Sequence, residues 1–145
     1  MSRVEDFLTA AEESAIINAI REAEKNSSGE IRVHLERSAD KDALERAKEV
    51  FYFLKMDETE AQNGVLFYVA VDDHKFSILG DAGINKVLPD NFWTGIKDSV
   101  IEHFSKGSYA LGLEEGIRAA GDKLKQYFPL DSSDTNELSD EISLG

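Results

Sequence analysis

The sequence predicts an α/β fold, a three-layer α/β/α sandwich around a small mixed sheet. Three observations carry this. Glu30–Glu36 alternates apolar and polar residues with a period of two. Val65–Val71 is a continuous apolar run rich in β-branched and aromatic residues, as suits a central strand covered on both faces. Between and around them lie stretches with apolar residues three and four apart. The predicted order is α-β-α-β-β-α-α.

In chain order, Thr9-Ala10-Ala11-Glu12 has capping-box spacing, and Ile16, Ile17, Ile20 and Ala23 continue as an apolar stripe. The polar run Asn26-Ser27-Ser28-Gly29 ends that helix near Lys25. In the first strand Ile31, Val33 and Leu35 share one face. Arg32, His34 and Glu36 share the other, which is expected to be only partly covered. Asp42 is the cap of the next helix, with Glu45 at N3 and Leu44, Ala47, Phe51 and Leu54 as its inward stripe. The polar stretch 57–64 leads into the second strand. Asp72-Asp73-His74-Lys75 turns the chain, and Phe76–Leu79 returns antiparallel as a hairpin. Gly80-Asp81-Ala82-Gly83 breaks the pattern, and Pro89-Asp90 opens a helix with Asp90 as its expected cap and Trp93, Ile96, Val100 and Phe104 inward. After Lys106-Gly107, Ser108 caps a last helix with Leu113, Ile117, Ala120 and Leu124 inward; Pro129 stops it. Gly112 and Gly116 are spaced to let another backbone approach, which offsets the ~1 kcal/mol each costs in a helix.

The chain of 145 residues reads as one domain over 1–130 and an acidic tail over 131–145, expected to be disordered because it holds five acids, four serines and no base. With 16 Lys+Arg against 29 Asp+Glu, the net charge of −13 argues against nucleic acid as a partner. No apolar run is long enough for a membrane span, and no leader pattern is visible at the start, so a cytoplasmic monomer with no membrane partner is expected. Cysteine is absent, which excludes disulfides, thiolate metal sites and a thiol nucleophile. Residues 131–142 miss the EF-hand pattern at position 6, Asn136, and position 12, Ile142. The histidines 34, 74 and 103 show no zinc-helix spacing and read as ordinary surface or boundary residues.

Five stretches in order carry a family resemblance. They are Ser28-Gly29-Glu30-Ile31-Arg32-Val33-His34, Asn63-Gly64-Val65-Leu66-Phe67-Tyr68-Val69-Ala70, Asp73-His74-Lys75-Phe76, Gly80-Asp81-Ala82-Gly83-Ile84 and Phe104-x-x-Gly107-x-Tyr109-x-x-Gly112-Leu113-x-x-Gly116. Over about residues 7–129 the chain resembles the TPM domain. The resemblance implies an α/β/α sandwich, in agreement with the periodicity. Plant members are described as calcium-binding and as acid phosphatases. Most members carry a signal peptide and a hydrophobic or Gly-rich trailing segment, neither of which is seen here.

Topology then nominates residues. With the first two strands parallel and the third antiparallel, the start of strand 1, the start of strand 2 and the end of strand 3 share one edge. Asp81 and Asp90 are the first candidates there for Ca²⁺ or Mg²⁺, with Glu30, Asp57 and Glu60 next; one or more ions are expected. The same acids also read as a helix cap and solvated loop residues. At the opposite edge Asp72 and Asp73 are the alternative, catalytic pair for a weak phosphatase, although turn chemistry accounts for both. The reading favoured by the sequence is a non-enzymatic, metal-responsive interaction module with a protein partner not identified by the sequence. A ligand-free adaptor is the third reading.

Overall fold

A capping box starts the first helix as the spacing requires: Thr9 Oγ1 accepts the Glu12 N–H at 3.1 Å, and Glu12 Oε1 accepts the Thr9 N–H at 2.9 Å. That helix, α1, spans Ala10–Asn26 in a computed structural model that describes residues 7–59, 62–88, 91–129 and 142–144. It is followed by β1 (Glu30–Glu36), α2 (Ala43–Phe53), a 3₁₀ turn (Met56–Glu58), β2 (Gly64–Ala70), β3 (Lys75–Gly80), α3 (Ala82–Asn85), α4 (Phe92–Ser105), α5 (Tyr109–Tyr127) and β4 (Ser143–Leu144). Asp42 caps α2 through bonds from the Leu44 and Glu45 amides.

The sheet has the order β3-β2-β1-β4. β1 and β2 are parallel, from Glu30 opposite Gly64 to Glu36 opposite Ala70, and β2 and β3 are antiparallel. The predicted βαβ unit and hairpin are therefore both present. Helices α1, α4 and α5 cover one face, where Ile31, Val33 and Leu35 meet Val65, Phe67, Val69, Ile16, Ile20, Leu113 and Ile117 in one apolar core. Among the described residues, helix α2 and the 3₁₀ turn cover the other, where Leu66, Tyr68 and Ala70 meet Ala47, Val50, Phe51 and Met56. The chain is thus a mixed α/β sandwich with an open four-stranded sheet.

Gly112 and Gly116 do the work their spacing suggested. A Cβ at Gly116 would lie 2.8 Å from Val100 Cγ2, and one at Gly112 would lie 2.9 Å from His103 Cβ, so α5 can press against α4 only without them.

Four expectations need correction. The stripe of α2 is Ala47, Val50 and Phe51; Leu44 is 43% exposed and takes no part in the cluster beneath the helix. The N-cap of α4 is Asn91, not Asp90, which lies outside the described residues, and Ser108 caps α5 without a side-chain bond. His34 is not a surface residue: it is 4% exposed. The segment 131–145 is not wholly a tail, because Ser143 and Leu144 pair parallel with His34 and Leu35 as β4. Residues 131–141 lie outside the described residues. Among the described residues no helix is long and apolar enough to cross a membrane.

Candidate functional site

Parallel pairing of β1 with β2 brings three loops to one edge. The Glu30 N–H donates to the Asn63 carbonyl at 3.3 Å, the Asp81 N–H to the Gly64 carbonyl at 2.9 Å, and the Gly83 N–H to the Gln62 carbonyl at 2.8 Å. Side chains join the weave: Asn63 Nδ2 donates to Ser28 Oγ at 3.2 Å, and Asn85 Nδ2 donates to the Gly80 carbonyl at 3.3 Å. Glu30, Thr59 and Asn63 are all buried here, an unusual density of polar groups for a loop edge.

Asp81 holds the centre of this edge. Its Oδ1 caps α3 by accepting the Ala82 N–H at 2.7 Å. Its Oδ2 is buried and has no hydrogen-bond partner among the described residues; neither has Thr59 Oγ1. A buried carboxylate oxygen without a donor costs free energy that a cation or a water would recover. Of the other metal candidates, Glu30 is buried at the start of β1, and Asp57 is exposed in the 3₁₀ turn. Glu60 and Asp90 lie outside the described residues. Among the described residues no three acidic or histidine side chains converge as a metal-binding group.

At the opposite edge, Asp73 is occupied by local structure. Its Oδ2 accepts the Ala39 N–H at 2.9 Å, and both oxygens lie within 3.0 Å of Ser38 Oγ. These bonds, the backbone one first, hold its carboxyl below the usual carboxylate range. Asp72 Oδ2 accepts from Arg37 Nε at 3.2 Å. A recess of about 350 Å³ opens between Glu36, Arg37, Ser38, Asp40 and Asp72.

The α2 face holds a polar network that the sequence reading missed. Glu36 accepts from Arg46 Nε at 2.8 Å and Nη2 at 3.0 Å, from the Tyr68 hydroxyl, and from His34 Nε2 at 3.1 Å. Burial pushes the Glu36 carboxyl up, but the bonds from Arg46, Tyr68 and His34 outweigh it and hold the group at about 2. Burial drives the His34 imidazole below its ordinary value against the pull of Glu36, and burial raises the Tyr68 hydroxyl. An ionised carboxylate only accepts, so His34 Nε2 carries the proton and Nδ1 of the neutral ring is bare. That Nδ1 faces Ser143 Oγ at 3.0 Å. The available signal was Arg32, His34 and Glu36 on one strand face opposite Tyr68. Only the placement of Arg46, one turn into α2, turns that pattern into a closed network.

Fold and edges define the class. The family model for the TPM domain matches residues 2–123, and the chain belongs to this family. Among solved structures, the BA42 protein of the psychrophilic bacterium Bizionia argentinensis is similar at 52% identity and a TM-score of 0.91, with all of both chains covered. The N-terminal domain of a P. gingivalis protein is similar at 26% identity and a TM-score of 0.71 over 84% of this chain and 79% of that one. No curated protein matches the chain.

Proposed function

We propose that the chain is a metal-responsive TPM domain that binds a divalent cation, Ca²⁺ or Mg²⁺, at the edge formed by the starts of β1 and β2 and the end of β3, and that it acts as an interaction module. One observation carries this reading: the buried, undonated Oδ2 of Asp81. Ca²⁺ takes six to eight oxygens, and neutral ones serve alongside carboxylates. Asp81 would supply the charged oxygen, and Thr59 Oγ1, a second buried oxygen without a partner among the described residues, stands in the loop that leads into β2 as a neutral candidate. Glu30, Asp57, Glu60 and Asp90 are the further carboxylates that the sequence assigns to this edge. A bound cation would tie the loops after α2 and β3 together and so stiffen the surface they present. Because the ion binds only the folded state, stability should rise by about 2.7 kcal/mol at a hundred times Kd.

Calorimetric and thermal titrations with Ca²⁺ and Mg²⁺ test it. The expected result is heat of binding and a higher melting temperature, both lost in Asp81→Asn, which keeps the capping oxygen and removes the charge. No heat and no shift in either titration would overturn the reading. A phosphatase at the Asp72 recess is the second reading, favoured by the open space beside Arg37 and Ser38. Metal-dependent release of phosphate from an aryl phosphate, abolished in Asp72→Asn, would replace the first proposal with this one.

A further inference from the structure

Among the described residues, very little chain occupies the outer edge of β1. Even-numbered residues of β1 turn their backbone groups to β2, as the Glu30 N–H and Glu36 carbonyl bonds show, so Ile31, Val33 and Leu35 turn theirs outward. The Ile31 amide is taken by Glu24 Oε2 at 3.1 Å. Val33 and Leu35 are left to β4, whose ladder is only two residues long. A two-residue ladder is marginal on its own.

Three features nevertheless make this edge selective. Ile142 packs against the apolar core beside β1, whereas Leu144 is 56% exposed. Ser143 points to the other face, onto His34 Nδ1. The ring of His34 is fixed from behind by Glu36, itself held by Arg46 and Tyr68, so a preorganised bare acceptor stands at the middle of the edge. It requires a hydrogen-bond donor, and in an extended segment a hydroxyl side chain has the reach.

We propose that the outer edge of β1 is a peptide-binding site that accepts an extended, parallel strand carrying a hydroxyl residue directly after a large aliphatic one, and that residues 142–144 are its exchangeable resident. Strand addition supplies affinity through Val33 and Leu35, and specificity comes from the aliphatic seat and His34. The resident segment competes in cis at an effective concentration of roughly millimolar, so an outside strand gains access when it pairs better or when the resident is removed. Nothing in this proposal depends on the cation edge.

The test uses the full chain carrying Ile142→Asp and Ser143→Pro, which vacates the edge. The probe is the free peptide Leu-Ser-Asp-Glu-Ile-Ser-Leu-Gly, the sequence of residues 138–145. In two-dimensional amide NMR spectra the peptide should shift Val33, His34 and Leu35 saturably at roughly millimolar concentration. The unaltered chain should bind about twofold more weakly, because its own segment competes at an effective concentration close to the dissociation constant of the probe. A peptide with Ala for the second Ser should bind about threefold to tenfold more weakly. No saturable shift in the folded variant, equal binding by the unaltered chain, or no loss with the Ala peptide would each overturn the proposal. Should the double variant not fold, hydrogen exchange on the unaltered chain decides. An exchangeable resident makes the Leu35 amide exchange about a hundredfold faster than that of Val69 in β2, and equal protection overturns the proposal.

Discussion

The two faces of the sheet are built on opposite principles from the same strand. On one face Ile31, Val33 and Leu35 join three helices in a continuous apolar core. On the other, His34 and Glu36 meet Arg46 of α2 and Tyr68 of β2 beside a smaller apolar cluster. The first face is secured by area, which is non-directional and tolerant of detail. The second is secured by a closed set of hydrogen bonds around Glu36, in which each member satisfies another. Area makes the fold stable; the network fixes where one imidazole stands. The difference explains why the chemistry-bearing side chains gather on the thinly covered face and at the sheet edges.

Three changes separate the two principles, from the largest expected effect to the smallest. Phe67→Ala empties the centre of the apolar face, where Phe67 is fully buried. Urea denaturation should show a loss of about 3–5 kcal/mol, independent of pH between 5 and 8. On the polar face the effect should depend on pH. The folded Glu36 carboxyl sits at about 2, against an ordinary 4.5. The unfolded chain therefore takes up the proton first, and the stabilisation present above pH 4.5 is lost as pH falls toward 2. The depressed His34 acts in the same direction, beginning as pH falls below its ordinary 6.5. Glu36→Gln should cost about 2–3 kcal/mol at pH 7 and flatten the acid limb of a stability-against-pH curve. An unchanged acid limb would show that the network is not what sets it. Phe53→Ser, at the end of α2, should change stability by less than about 0.5 kcal/mol, because Phe53 is 81% exposed. A larger loss would mean that the thin face has a cover among residues outside the described set.

The carboxylate edge teaches a related point. Asp81 was legible as a candidate because a strand ends and a glycine-rich turn begins there; that one of its oxygens caps α3 while the other is left undonated was not legible. Capping depends on local spacing. The undonated oxygen depends on which loops from elsewhere close over it.

By itself the sequence determined what periodicity and short-range chemistry can encode. The alternation of β1, the apolar run of β2, the capping box at Thr9 and the Asp42 cap all form within a few residues. A helical connection between β1 and β2 then leaves parallel pairing with little alternative. Tertiary structure decided the rest. His34 alternates with apolar neighbours as an exposed strand residue would, yet it is buried because Tyr68, Arg46 and Ser143 arrive from three other segments. Residues 142–144 have the composition of a tail, yet they join the sheet because β1 offers backbone groups and an apolar seat that no local pattern reveals. Both outcomes depend on burial by residues distant in sequence, and burial decides whether a polar side chain remains a surface residue or becomes the centre of a network.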